Sequence, residues 1–152
     1  MTERYSKMFM TKEAYDRLIR LCKDAFPAEA CGVLACGMAE EVDDDPSGAA
    51  CVIDAVIPIR NAHDRPDRSF SFDPAEWTAA YYDMQINRQN LVGLFHSHPR
   101  SEAVPSISDA EGFLPAFALS YWIVSLQNKE APHVQPYRRS QGAFIPLELV
   151  IA

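Results

Sequence analysis

Long apolar runs are absent from this chain of 152 residues. No stretch approaches the roughly 20 apolar residues that a membrane-spanning helix requires. The first ten residues, MTERYSKMFM, also lack the uninterrupted apolar core of a secretory signal peptide. These absences argue against membrane-embedded function classes and predict a cytoplasmic protein with no membrane partner.

Positive charge is in the minority. The chain has 14 lysines and arginines against 21 aspartates and glutamates, which gives a formal net charge of -7. Such a balance repels a phosphate backbone, so no nucleic-acid partner is predicted. Part of the excess lies in the acidic, turn-rich stretch Met38–Gly48, which predicts an exposed loop.

Closely paired cysteines are also missing. The four cysteines, Cys22, Cys31, Cys36 and Cys51, include no C-x-x-C pair. A four-cysteine zinc site needs such pairs, so this kind of site is excluded. Most of the cysteines lie in apolar runs, where a thiol packs as a small hydrophobic group. We therefore expect buried, reduced thiols.

The overall composition is that of a globular domain. Hydrophobic residues make up 48% of the chain and charged residues 23%, which excludes both a disordered and a fibrous protein. The length fits one domain, and neither an internal repeat nor an interdomain linker is present. We expect a single domain over residues 1–152.

Two segments have the pattern of capped helices. Between Thr11 and Phe26 apolar residues recur at helical spacing, with Thr11 as the N-cap. A second helix is predicted from Pro74 to Asn87, because Asp73 supplies an N-cap and Pro74 suits the first helical position. A third, short helix is expected to begin at Ser106.

Six segments have the composition of β-strands, being short, apolar or rich in β-branched residues, and bounded by turn formers. They are Ala30–Ala35, Ala49–Ile59, Leu91–Phe95, Ser120–Leu126, Val134–Tyr137 and Ala143–Ile151. Strands that alternate with helices predict a layered α/β arrangement.

A pair of histidines follows one of these strands. Residues i and i+2 of a strand point to the same face, so His96 and His98 can present two imidazoles side by side to one metal ion. Asp109 follows after a loop long enough to fold back over them. Two histidines and one aspartate leave the fourth tetrahedral position open for water, which is the arrangement of a catalytic zinc site. The predicted chemistry is hydrolysis.

The motif around these residues resembles a known family. His96-Ser97-His98-Pro99, followed after six residues by Ser106-x-x-Asp109, is similar to the H-x-H-P-x6-S-x-x-D motif of the JAMM (MPN+) metalloisopeptidases. Upstream, Glu29-Ala30-Cys31-Gly32-Val33-Leu34 resembles the E-x-C-G-x-L segment of the same family. This resemblance implies a cytidine-deaminase-like layered α/β fold, with a central, mixed, partly barrel-like sheet flanked by helices.

The resemblance also implies a role for each residue of the motif. His96, His98 and Asp109 would bind one zinc ion per chain. Glu29 would take a proton from the water that zinc activates and pass it to the leaving amine. Ser106 would stabilise the tetrahedral oxyanion with its hydroxyl group.

The substrate implied by the resemblance is a ubiquitin-like protein. The short chain and the segments Asn61–Pro66 and Phe70–Pro74 look like those of compact prokaryotic members, which are associated with ubiquitin-like sulfur-carrier proteins. A Gly-Gly tail forms a thin extended strand that can enter a narrow groove. We therefore expect a zinc peptidase or isopeptidase that cuts after the Gly-Gly terminus of such a carrier. The kind of bond, the particular carrier and the oligomeric state stay open.

Other function classes fit the residues less well. A cytidine deaminase would carry H-x-E and P-C-x-x-C signatures, and both are missing. A related DNA-repair branch has a different loop after its histidines, and the acidic charge disfavours DNA. A non-catalytic MPN-type binding scaffold would have to retain all three ligands without using them, and a zinc hydrolase acting on another amide remains open.

Three further polar residues receive no site role from the sequence. Ser97 is expected to point to the face of the strand opposite to the histidine pair. His63 and His133 lie in polar contexts with no ligand spacing, so we expect them to be solvated.

Overall fold

A computed structural model of the chain describes residues 6–37, 51–106 and 119–152. Two helices and nine strands lie in these ranges. The helices are α1 (Lys12–Ala25) and α2 (Pro74–Ile86). The strands are β1 (Lys7–Met10), β2 (Cys31–Gly37), β3 (Val52–Ile53), β4 (Ala55–Ile59), β5 (Gln89–His98), β6 (Ser120–Ser125), β7 (His133–Ser140), β8 (Ala143–Pro146) and β9 (Glu148–Ile151).

The strands form two sheets. The larger has six strands in the order β4-β2-β5-β6-β7-β8, and the smaller has three in the order β3-β1-β9. In the larger sheet only β5 and β6 are parallel, so the predicted mixed sheet is confirmed. Because β4 and β8 lie at its edges, this sheet is not a closed barrel.

Both described helices begin where their caps predict. The Thr11 hydroxyl accepts a hydrogen bond from the Ala14 backbone at 3.1 Å, and the Asp73 carboxylate accepts one from the Glu76 backbone at 3.0 Å. Helix α1 buries Leu18 and its neighbours on the same face. No helix in the described part of the chain is both long enough and apolar enough to cross a membrane.

The core consists of two clusters of apolar side chains. One cluster lies under α1 and includes Leu18, Phe95 and Trp122. The other lies under α2 and includes Met84 and Tyr121. The central strands β2, β5 and β6 contribute to both clusters, so they are covered on both faces, as their apolar sequences predict.

Several strand boundaries differ from the sequence expectation. Strand β1 was not predicted, because a four-residue segment with a single fully buried residue, Met10, has little pattern to recognise. The strand expected over Ala49–Ile59 is divided at Asp54, and the one over Ala143–Ile151 is divided at Leu147, so that each half joins a different sheet. The third predicted helix and the acidic stretch Met38–Gly48 lie outside the described residues.

The expectation of four reduced cysteines is wrong for two of them. Cys36 and Cys51 form a disulfide with a Cα–Cα distance of 6.0 Å. The acidic stretch separates these two residues in the sequence. Their spacing alone does not indicate that the chain brings Cys51 back to Cys36. Cys22 and Cys31 are buried free thiols, as expected.

Candidate metal centre and catalytic site

The histidine pair lies at the carboxyl end of β5. This strand is longer than predicted and includes both histidines, whose side chains therefore emerge on the same face. His96 is fully buried and His98 is 5% exposed. The Nε2 atoms of the two rings are 3.2 Å apart. Two buried imidazole nitrogens thus converge on one point.

The tautomer of His98 is fixed by the loop that follows it. Its Nδ1 atom lies 2.7 Å from the backbone carbonyl oxygen of Glu102. Because a carbonyl only accepts hydrogen bonds, Nδ1 carries the proton and donates it. In the neutral ring, Nε2 then carries a lone pair directed towards His96. Carbonyl groups hold metal-binding histidines in the same way.

The geometry of the pair fits a zinc ion. Tetrahedral zinc with the usual Zn–N distances separates two ligand nitrogens by about 3.3 Å, close to the observed separation. Within the described ranges, no group of three metal-ligating side chains occurs. Asp109, the third predicted ligand, lies outside them. His96 and His98 could therefore supply two ligands of a site that needs a third from elsewhere.

The side chains on the two faces of strand β5 make different contacts. On the histidine face, the ring of Phe70 stacks on His96, with ring centroids 4.5 Å apart and an angle of 22° between the planes. Between the histidines, Ser97 is fully buried, and its hydroxyl accepts a hydrogen bond from the Ala30 backbone at 2.8 Å. Its contact with Cys22 of α1 confirms that Ser97 points to the opposite face.

Glu29 lies two residues before Cys31, at the end of β2 that pairs with the histidine end of β5. Cys31 is opposite His96, and the Ser97 backbone donates to the Ala30 carbonyl at 2.9 Å. Continued two residues beyond Cys31, the same antiparallel register would bring Glu29 opposite His98. Opposite residues of an antiparallel pair project to the same side. Glu29 is only 4% exposed, so the fold buries this acidic residue directly before β2, the strand that pairs with β5.

Asn61 fixes the backbone around Glu29. Its Nδ2 atom donates to the carbonyl oxygens of Glu29 at 3.1 Å and Ser69 at 2.9 Å. Its Oδ1 atom accepts from the backbone of Ser71 at 3.1 Å. The Glu29 backbone donates in addition to the Pro66 carbonyl at 2.6 Å. The segment over 60–73 therefore holds Glu29 in position.

A similar set of bonds fixes the loop after His98. The Ser125 hydroxyl donates to the Ser101 carbonyl at 2.6 Å, and the Tyr137 hydroxyl donates to the Ala103 carbonyl. With the bond from His98 to Glu102, three consecutive carbonyls are held by side chains from three strands. Burial raises the pKa of the Tyr137 hydroxyl, which keeps it protonated as a donor.

A cavity of about 430 Å³ opens next to Glu29. Its volume lies within the usual range for small-molecule sites, which is about 300–1,000 Å³. The lining contains acidic and basic side chains together with polar backbone, so it suits a charged group. The lining residues are Glu29, Asp67, Arg68, Pro99, Arg100 and Ser101.

Ser106, His63 and His133 differ in their exposure to solvent. Ser106 is exposed and lies at the end of the described loop. His63 is half-buried rather than fully solvated, and its Nδ1 atom accepts a hydrogen bond from the Arg65 backbone at 3.0 Å. His133 is exposed at the start of β7, as expected.

Sequence reasoning gave no role to four residues that the structure brings to the site. Phe70 and Asn61 act through contacts with chain segments about 25 to 40 positions away, so no local spacing marks them. In the sequence, Arg68 and Arg100 contribute only to the charge balance. The one available signal was the likeness of the segments Asn61–Pro66 and Phe70–Pro74 to those of compact JAMM proteins.

The chain is similar to characterised proteins and solved structures. Residues 11–140 match the family described as prokaryotic homologues of the JAB domain. The desampylase of Haloferax volcanii is 30% identical over 110 residues, which cover 70% of this chain and 72% of that protein. A probable TtuB-protein conjugate cleaving protease of Thermus thermophilus is 32% identical over 57 residues, or 38% of each chain. The solution structure of protein DSY2949 from Desulfitobacterium hafniense matches with a TM-score of 0.75 and 30% identity, over 95% of this chain and 92% of that chain.

Proposed function

Since the chain belongs to the family of prokaryotic homologues of the JAB domain, we propose that it is a zinc-dependent peptidase or isopeptidase. It hydrolyses the amide bond that follows the C-terminal Gly-Gly of a ubiquitin-like protein, of the sulfur-carrier kind. The observation that carries this proposal is the convergence of two buried imidazole nitrogens, 3.2 Å apart, in a fold that also buries Glu29 before the neighbouring strand.

The proposed site combines described residues with one that lies outside the described ranges. His96 and His98, together with Asp109, would hold the zinc ion. When bound, zinc supplies Lewis acidity, which polarises a carbonyl group and lowers the pKa of a water molecule. The hydrogen bond from His98 to Glu102 and the stacking of Phe70 on His96 support this assignment, because they orient both rings before a ligand arrives.

Glu29 is the proposed general base and acid. It accepts a proton from the attacking water, whose oxygen joins the carbonyl carbon of the second glycine. The amide C–N bond breaks, and Glu29 passes the proton to the leaving nitrogen. Burial and the fixed backbone keep the carboxyl group in one orientation during both transfers. The hydroxyl of Ser106 is proposed to donate to the oxyanion.

The names of the two relatives support a ubiquitin-like substrate. One is a desampylase, and the other is a probable TtuB-protein conjugate cleaving protease. Two consecutive glycines have no side chains, so the tail can approach the closely packed end of β5 in an extended conformation. This steric argument supports cleavage after Gly-Gly rather than after bulkier pairs.

The experiment is a cleavage assay with mass detection. The substrate is a ubiquitin-like carrier that is extended past its Gly-Gly tail by a short peptide, and the matched control carries Ala-Ala in place of Gly-Gly. Zinc-loaded protein should cut the first substrate directly after Gly-Gly and leave the control intact. A chelator should abolish the reaction. Absence of any cut by protein that demonstrably holds zinc would contradict the proposal and favour a binding scaffold.

A further inference from the structure

Two arginines line the cavity next to Glu29 in a chain with a net charge of -7. Arg68 and Arg100 are both exposed, and they approach the cavity from different segments. Asp67 is the other acidic residue of the lining besides Glu29. The cavity thus combines two guanidinium groups with two carboxyl groups.

Both arginines extend from fixed backbone. Arg100 precedes the three carbonyls that Ser125, His98 and Tyr137 hold. The Arg68 backbone donates to the Arg65 carbonyl at 3.0 Å, and Asn61 donates to the next carbonyl at Ser69. Only the flexible side chains need to adjust when a ligand enters, which lowers the entropic cost of binding.

The guanidinium groups are available for an anion. The ion pairs found in the described ranges join Lys12 to Asp16 and Arg60 to Asp73, so neither cavity arginine takes part in them. Arg100 lies over the ring of Phe26, with its Cζ atom 5.4 Å from the centroid. A cation–π contact of this kind restrains a guanidinium group while its N–H groups remain able to bind a carboxylate.

We propose that Arg68 and Arg100 bind the free terminal carboxylate of a short extension that follows the scissile bond. The inference rests on the proposed function, because Glu29 marks the side on which the leaving nitrogen lies. A residue spans at most about 3.6 Å, so the carboxylate of a one- or two-residue extension lies within about 7 Å of that nitrogen. It therefore falls in the cavity that Glu29 and the arginines share.

The charges of the cavity match those of the product. A released amino acid carries an ammonium group and a carboxylate, and the lining offers carboxyl groups and guanidinium groups for the two. A lysine side chain released from an isopeptide bond brings no carboxylate to this position. The arginines thus determine specificity for carriers with short C-terminal extensions over carriers joined to lysine.

The test compares three substrates built on one carrier. The first ends in a short extension with a free carboxylate, the second has the same extension with a terminal carboxamide, and the third is joined through an isopeptide bond to a lysine peptide. The wild-type protein should show a kcat/KM at least about 10-fold higher for the free acid than for the carboxamide, because a charge-assisted pair is lost in the latter. The isopeptide should be cut as slowly as the carboxamide.

Substitution assigns the preference to the arginines. Arg68→Gln and Arg100→Gln should each lower the ratio of acid to carboxamide rates towards one. Arg20→Gln, at an exposed arginine of α1 that does not line the cavity, should leave the ratio unchanged. If the arginines instead bind acidic side chains on the surface of the carrier, both substrates would slow equally and the ratio would not move, which would overturn the proposal.

A binding measurement separates this inference from the proposed function. Fluorescence anisotropy with zinc-loaded Glu29→Gln protein and labelled tail peptides should give tighter binding of the free acid than of the carboxamide, again by about 10-fold. Cleavage of acid and carboxamide at equal rates would refute the arginine assignment and leave the peptidase intact. Preferential binding of the acid without any cleavage would refute the peptidase and retain the carboxylate site.

Discussion

The pKa values of the two free thiols show how strongly burial affects single residues near the site. The Cys31 thiol donates a hydrogen bond to the Ile59 carbonyl at 3.3 Å. Burial raises its pKa to about 12, and the Glu29 and Glu76 carboxylates add to the rise. Burial raises the pKa of Cys22 to about 12 as well. Both residues are therefore uncharged packing groups at neutral pH.

These thiols should make folding stability fall in alkaline solution. In the unfolded chain a thiol titrates near 9.0, whereas in the folded protein it keeps its proton up to about 12. Between these values the unfolded state binds fewer protons, so the free energy of unfolding decreases by up to about 1.4 kcal/mol per pH unit for each thiol. Below the lower value their contribution is constant. Urea unfolding of the disulfide-intact protein at a series of pH values measures this slope.

The Cys22→Ala/Cys31→Ala variant is the control for that slope. Other groups, such as Tyr137 with its raised pKa, also titrate in this range and contribute to both proteins. The difference between wild type and variant isolates the thiols. An identical slope in the two proteins would show that burial does not raise the thiol pKa values.

At the level of single residues, the sequence predicts the strand face on which a side chain lies better than it predicts which distant residues that side chain contacts. The i, i+2 spacing of His96 and His98 places both rings on one face of a strand, and strand geometry requires nothing more. The stacking of Phe70 and the hydrogen bonds of Asn61 depend on how distant segments pack. No periodicity encodes such contacts.

At the level of elements, strand β2 depends on a glycine. A Cβ atom at Gly32 would clash with the Ile57 carbonyl oxygen of β4 and lie 2.6 Å from the Phe95 ring of β5. The backbone of β4 cannot move away without breaking its pairing with β2. Because Gly32 has no side chain, strands β2, β4 and β5 can pack closely together. Strand β5 carries the histidines.

Gly32→Ala should destabilise the protein by about 1–3 kcal/mol or more, because the added methyl group overpacks a closed space. Gly37→Ala is the matched control at the end of the same strand, where a Cβ atom would meet nothing within 4 Å. That variant should change stability by no more than about 1 kcal/mol. Denaturant unfolding of both variants tests the difference. Equal midpoints would show that β4 and β5 do not pack tightly on Gly32.

The helices were easier to predict than the short strands. Thr11 and Asp73 are recognisable caps, and each precedes a helix of more than ten residues with local hydrogen bonds. Strand β3 has two residues and strand β9 has four. Non-local pairing with β1 determines which sheet these two strands join. No glycine or proline adjoins Asp54, where the chain first changes sheet, whereas Pro146 directly precedes the second change at Leu147.

At the level of the whole molecule, the site exists only because three separate segments meet. The end of β5 supplies the histidines, the segment before β2 supplies Glu29, and the segment over 60–73 supplies Phe70 and Asn61. The family resemblance named His96, His98 and Glu29 but neither Phe70 nor Asn61, and the pairing of β2 with β5 explains how distant parts of the chain come together. As proposed above, His96 and His98 would bind the metal and Glu29 would transfer the proton in one hydrolytic centre.

The most direct test measures zinc content and cleavage in the same preparations of wild type, Glu29→Gln and the exposed control Glu130→Gln. We expect one zinc per chain in all three proteins. We also expect a loss of cleavage of about 100-fold or more for Glu29→Gln alone, because only this variant removes the proposed proton-transfer group. Cleavage by Glu29→Gln at the wild-type rate with zinc retained would show that Glu29 does not transfer the proton.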